Sequence, residues 1–124
     1  MSLDPYNSMV RAYFAQARHA GVVENGATGY FEDQGMRIRL SAEVADGRLL
    51  KLRFEAWGCP HVLAASEAFC RQFEGRPATD LEQFETTPIM RDLAVPIEKT
   101  GRILVLEDTV RSLGQAIQDQ TLQN

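Results

Sequence analysis

The sequence predicts an α+β domain: a small antiparallel sheet with helices packed on one face. Three observations predict it. Apolar residues recur at three- and four-residue spacing near both ends of the chain. In the middle they alternate with polar residues, the period of a half-buried strand. The two patterns stay in separate blocks instead of interleaving, which excludes a doubly wound parallel sheet. The 124 residues read as one domain, 1–124, with no repeat, linker or low-complexity tract. A chain of this length hides about two-thirds of its unfolded surface and needs no covalent staples.

Each element has its own local reason. The first helix is expected to start at Asp4 as cap, with Pro5 in the first helical position. Tyr6, Met9, Val10, Tyr13, Phe14 and Ala17 then form one stripe, which runs to about Arg18 before Gly21. His19, at that end, reads as a partner for the helix dipole. Residues 22–35 read as loop, with a short strand at Tyr30-Phe31 and a solvated Glu32-Asp33-Gln34-Gly35. The period then becomes two. Ile38, Leu40, Ala42 and Val44 share a face, Asp46-Gly47 signals a hairpin turn, and Leu50, Leu52, Phe54 and Ala56 return.

A second helix is expected from Pro60 to about Glu74, with Val62, Ser66, Phe69, Cys70 and Phe73 inward and Gly75 beyond its end. Thr79 and Glu82 form a capping-box pattern for a short third helix. Pro88 and Pro96 bound a small segment, Ile89 to Leu93. The mixed-charge stretch from Glu98 to Arg102 reads as loop. The last helix then runs from about Ile103 to Gln120 on the stripe Leu106, Val110, Leu113 and Ile117, with Glu107 and Asp108 favouring its N-terminal turn.

Charge and composition exclude several functions. Thirteen basic residues against 17 acidic give a net charge of -4, a poor match for phosphate neutralisation, so no nucleic-acid partner is expected. No apolar run is long enough to span a bilayer, so no membrane is expected either. The first residues lack the basic-then-apolar order of a signal peptide, and a cytoplasmic location is the expectation. Cys59 and Cys70, if they flank one helix, would stand roughly 16 Å apart, too far for a disulfide. Both are expected as free thiols in a reducing compartment. No phosphate-binding loop, dinucleotide fingerprint, nucleophile elbow, Cys-x-x-Cys or His-Glu-x-x-His motif is present, so the chain is not expected to be an enzyme.

Cys59 is the residue with the most chemistry. It is expected at the N-cap of the second helix, where unpaired amides and the positive dipole end favour negative charge on sulfur. A thiolate there is a nucleophile and a soft metal ligand; the plain alternative is an inert, half-buried cysteine. Pro60 removes one of those amides. Cys70, on the apolar stripe, reads as core. His61 follows Cys59 closely and reads either as a base or ligand beside the thiol or, preferably, as an exposed first-turn residue.

These residues together resemble the IscU/NifU N-terminal family of iron–sulfur cluster scaffolds, from about Tyr6 to Ile117. The opening helix with Tyr6, Val10, Tyr13, Phe14, Arg18 and Gly21 resembles the family's first helix and its end, with Ala17 and His19 in place of a proline and an asparagine. Met36-Arg37-Ile38-Arg39-Leu40 resembles its first hairpin strand. The stretch Phe54-Glu55-Ala56-Trp57-Gly58-Cys59 fits its Phe-x-x-x-Gly-Cys signature. Ala64-Ala65-Ser66, Gly75-Arg76 and Leu106-Glu107-Asp108 match further landmarks. Val95-Pro96-Ile97-Glu98-Lys99 resembles a degraded form of the family's chaperone-recognition motif, which implies partner recognition at Val95, Pro96 and Lys99.

The departures from the family fall on the ligands. The resemblance implies three cysteines, with an aspartate near the first and a histidine before the third. Here the first position falls within Glu32 to Gln34, with Asp33 or Gln34 near the aspartate position. The histidine position falls on Gly101 and the third cysteine on Arg102. Only Cys59 carries over. Clusters are commonly held by four thiolates, so one protomer is expected not to keep one. A homodimer sharing a cluster, with two Cys59 thiolates and outside thiols, stays open.

The resemblance therefore implies an assembly scaffold with a degenerate ligand set, accepting sulfur or binding iron through Cys59. A cysteine desulfurase and a chaperone are the implied partners, and iron or an iron–sulfur cluster the implied cargo. Two alternatives stand beside it: a binding or adaptor module without a cluster, and a mononuclear zinc or iron site at Cys59, Asp33 and His61.

Overall fold

The computed structural model describes residues 6–122. The first helix, α1, spans Ser8–Ala15. Its cap is Asn7, whose side chain accepts the Val10 N–H at 2.9 Å; the expected cap, Asp4-Pro5, lies outside the described residues. The helix stops three residues short of Arg18, because Gln16 leaves helical dihedrals and Arg18 N–H turns back to the Gln16 carbonyl. Of the expected stripe, Val10 is buried, while Met9 and Phe14 face outward.

Three strands follow: β1 (Ala27–Asp33), β2 (Met36–Ala45) and β3 (Arg48–Trp57), antiparallel in the order β1-β2-β3. The region expected as loop with a two-residue strand is thus a full strand, and Glu32 and Asp33 belong to it. It turns into β2 through Gln34-Gly35, with φ of +52° and +77°, the two-residue geometry that matches strand twist. Asp46-Gly47 makes the expected turn in the same way.

Ile38, Leu40 and Ala42 lie on the buried face as predicted, opposite Ala56, Phe54 and Leu52. Leu50 does not. Between Glu43 and Val44 the register shifts, so Leu50 is an extra residue of β3. The shift turns Leu49 into the core and leaves Leu50 48% exposed.

Helices α2 (Pro60–Phe73) and α4 (Thr100–Leu122) cover the buried face, and α1 lies across α2. Squeezed between sheet and α1, α2 buries ten of its 14 residues. Gly29 lets α4 approach β1: a Cβ there would stand 2.6 Å from Leu113 Cα and 2.7 Å from the Thr109 carbonyl oxygen. The stripe Leu106, Val110, Leu113 and Ile117 is buried as predicted.

The expected third helix is a 3-10 turn, Ala78–Gln83, without a side-chain cap, since Pro77 occupies the capping position. A short helix α3 spans Thr87–Asp92, and a second 3-10 turn, Ile97–Lys99, runs straight into α4. Hence Gly101 and Arg102 sit in the first turn of α4, not in a loop. Glu107 lies too deep in α4 to serve its N-terminus and instead accepts the Thr86 N–H and hydroxyl, at 2.8 and 2.9 Å.

His19 also differs from expectation. Its backbone N–H donates to Glu67 Oε1 at 2.9 Å, Nδ1 meets Glu67 Oε2 at 2.7 Å, and Nε2 meets Glu74 Oε1 at 3.2 Å. Glu67 is sealed from solvent and also takes Arg71 Nε at 2.7 Å. Burial pushes the Glu74 carboxyl up, but the Leu52 N–H, His19 and Arg53 together hold it below the usual carboxylate value. This network anchors the stretch after α1, which pairs with Phe54 at the edge of β3.

Candidate functional site

Cys59 is the N-cap of α2, as predicted, in extended conformation and with no hydrogen bond from its side chain to the helix. It is half-buried and unpaired; Cys70 is sealed in the core, with its thiol pushed well up by burial and then by Glu67 and Glu74. Before Cys59, Gly58 has a φ of +150°. The pairing of Arg37 with Trp57 brings Met36 level with Gly58. Met36 lays its thioether where a Gly58 side chain would be, with Cε 3.0 Å from that point.

Gly101 meets the other side of the same region. Both amide atoms of Gln34 lie 3.0 Å from where a Gly101 Cβ would stand. The β1–β2 turn, the end of β3 and the first turn of α4 therefore meet at one end of the sheet. That end gathers Gln34, Gly101, Arg102 and Cys59, which are distant in sequence. Arg102 is half-buried there. Asp33 stays exposed, and its Oδ1 accepts the Gln34 N–H at 2.9 Å.

His61 overturns its expected exposure. It is fully buried in the first turn of α2, beneath the ring of Tyr6 at 4.8 Å. Lys99 Nζ lies 5.4 Å from the other partner of that stack, the Tyr6 ring. Among the described residues neither ring nitrogen of His61 has a hydrogen-bond partner. Burial, and then the Lys99 ammonium, hold its imidazole below the usual range. Among the described residues no group of three or more His, Cys, Asp and Glu side chains converges as a metal site, so Cys59, Asp33 and His61 are not brought together as one.

The segment expected to recognise a partner protrudes. Val95 and Pro96 are half-buried, with the Val95 N–H bonded to the Met90 carbonyl at 3.0 Å, and Lys99 is held over Tyr6. Between them Ile97 is 90% exposed. Sequence reasoning missed Met36 and Tyr6 as parts of this end. Met36 could be found from hairpin register, but nothing local marks Tyr6 as the cover of His61.

Two clefts, of about 710 and 560 Å³, lie elsewhere. The first runs between the Asp46-Gly47 turn and the C-terminal half of α4; neither is lined by Cys59, Gln34 or Gly101. Among the described residues no helix is long and apolar enough to cross a membrane.

A three-stranded antiparallel sheet backed by helices, with one cysteine at the sheet-to-helix junction, defines a scaffold-type α+β domain. The family model for the NifU-like N terminal domain matches residues 5–121, and the chain belongs to this IscU/NifU N-terminal family of iron–sulfur cluster assembly scaffolds. It is 24% identical over 115 residues to the iron sulfur cluster assembly protein 1, mitochondrial, of Eremothecium gossypii, covering 86% of this chain and 75% of that protein. It is likewise 24% identical over 114 residues to the iron-sulfur cluster assembly scaffold protein IscU of Rickettsia prowazekii, covering 86% and 87%. Among solved structures, the N-terminal NifU-like protein of Brucella abortus superposes with a TM-score of 0.70 at 13% identity, over 95% of each chain. A Fervidobacterium islandicum protein described as a scaffold for the SUF system gives 0.68 at 16%, over 87% and 96%. At such identities the structures establish the shared fold.

Proposed function

We propose that this protein serves iron–sulfur cluster assembly as a scaffold-type sulfur acceptor, taking sulfur on Cys59 from a cysteine desulfurase. The observation that carries the reading is the position of Cys59. It is the one thiol at the end of the sheet where the β1–β2 turn and the start of α4 meet, half-exposed at a helix N-terminus. The Cys59 sulfur, as thiolate, attacks the outer sulfur of the donor's persulfide. A sulfur–sulfur bond forms at Cys59, the donor's sulfur–sulfur bond breaks, and the donor cysteine leaves as thiolate. The Cys59 proton passes to solvent, and no net oxidation occurs. The protein acts as carrier, and the desulfurase does the catalysis.

The exposed Ile97, framed by Pro96 and Lys99, supports a chaperone contact on the same end of the molecule. Incubation with a cysteine desulfurase and cysteine, followed by intact-mass spectrometry, tests the transfer. The expected result is one added sulfur atom on the wild type and none on Cys59→Ser. An unmodified wild type contradicts it.

A second reading is an adaptor that docks on the assembly machinery without chemistry. The seating of Gln34 against Gly101, where the resemblance expects a ligand, favours it. Under that reading Cys59→Ser keeps full function in cells, whereas a sulfur acceptor loses it.

A further inference from the structure

We propose that this chain has filled the place of its family's cargo with its own side chains and takes up no iron–sulfur cluster. The inference rests on the site assignment above but not on sulfur reaching Cys59.

Donor chemistry comes first. Clusters are held mainly by thiolates, commonly four, with histidine as the usual substitute. Cys59 is the one thiol at this end, since Cys70 is sealed inside the core. His61 is turned beneath Tyr6 and fully buried. Asp33 is exposed and takes the Gln34 N–H on Oδ1, apart from any second His, Cys, Asp or Glu cluster among the described residues. Among the described residues, no three such side chains converge.

Space is the second argument, and it is independent of the first. An uncovered glycine beside a thiol would leave room for an inorganic core. Here a neighbouring side chain packs against each glycine of the site, although Gly58 itself stays exposed. Gln34 places its amide oxygen and nitrogen 3.0 Å from the Cβ position of Gly101, closer than ordinary contact. Met36, 9% exposed, lays its thioether over Gly58, directly before Cys59. A side chain at Gly58 would displace the buried Met36 and strain a φ of +150°, whereas one at Gly101 would push aside the exposed end of Gln34.

Charge is the third. Arg102 follows Gly101 in the first turn of α4 and is half-buried. A guanidinium stays protonated at any relevant pH. It donates and cannot accept, so it cannot serve as a ligand to ferrous or ferric iron. With Cys59 as the one thiol at this end, the site can carry a single sulfur atom and lacks the donors to hold a cluster.

The test uses the full chain under anaerobic conditions with ferrous iron, sulfide and a phosphine reductant, followed by desalting. The wild type is expected to retain no more iron than Cys59→Ser and to show no visible absorption bands. Equal amounts of iron and sulfide, retained by the wild type and lost in Cys59→Ser, overturn the proposal, whether the chain elutes as monomer or dimer. A double variant, Gln34→Cys with Arg102→Cys, tests the filled positions directly. It is expected to retain at least about tenfold more iron than the wild type and to gain cluster bands, since it restores thiolates at both. A double variant with a native circular dichroism spectrum and no gain in iron overturns the assignment of Gln34 and Arg102 as the filling residues. Sulfur transfer is read without iron, by mass, so its failure is separate from the failure of this proposal.

Discussion

At the scale of single residues, glycine decides how close the layers come. Gly29 is the contact between β1 and α4, and its missing side chain is what the Leu113 and Thr109 backbone occupies. Gly29→Ala is expected to lower stability by about 3 kcal/mol, because the clash is with backbone that cannot rotate away. Urea unfolding checks this; a midpoint equal to wild type would contradict it. None of this was legible in the sequence, where Gly29 is one of nine glycines. Cys70 was legible, since its place on the stripe beside Phe69 and Phe73 fixes its burial.

His61 makes a second prediction at this scale. Its folded imidazole is held below the ordinary value of about 6.5 by burial and then by Lys99. As pH falls through 6.5 and then through the lower folded value, the unfolded chain takes up a proton that the folded chain refuses. Stability contributed by the neutral imidazole is therefore present above 6.5 and is lost as pH drops through that window. His61→Phe, which keeps an aromatic ring under Tyr6, is expected to show a shallower loss of stability than wild type between about pH 7 and about pH 5. Equal slopes in the two proteins would count against a buried neutral histidine. Spacing placed His61 near Cys59, but the tertiary lid of Tyr6 has no local signature.

At the scale of elements, the strands were legible where period and turn chemistry agree. Asp46-Gly47 joins two alternating runs and announces its hairpin. Gln34-Gly35 makes the same turn, but glutamine is a weaker turn signal and β1 has only the short buried pattern of Ala27 and Gly29. The reversal of Leu49 and Leu50 has a similar cause. A bulge changes which residue of an alternating pair faces inward, and nothing in the alternation itself reveals it.

The capping expectation at Thr79 failed because the turn begins earlier, with Pro77 at its cap, and the one at Glu107 because that side chain is taken by Thr86. The link from α1 to the sheet runs through the sealed carboxylate of Glu67, which holds His19 and Arg71 at once. Removing it takes the acceptor from the His19 N–H and from Arg71 Nε, and the partner from His19 Nδ1. Glu67→Ala is expected to cost about 3 kcal/mol and to raise hydrogen exchange in residues 16–21 first. Uniform exchange across the chain would show that the anchor is not local.

At the scale of the whole molecule, the fold gathers residues 34, 59, 101 and 102 at one end while both clefts lie away from it. The family was legible from the order and spacing of its landmarks, above all Phe54 to Cys59. The state of the site was legible only in part. Sequence gives the loss of thiols, because residue identity is enough. It does not give the packing of Gln34 against Gly101 or of Met36 against Gly58, which depends on hairpin register and on where α4 begins.

One chain with one site thiol should carry one sulfur and no iron. Native mass spectrometry after incubation with a cysteine desulfurase, cysteine and ferrous iron reads both quantities on the same molecule. The account predicts a species heavier by a single sulfur atom, absent from Cys59→Ser and free of iron. A species bearing paired iron and sulfide, or a wild-type chain that gains no sulfur, would contradict it.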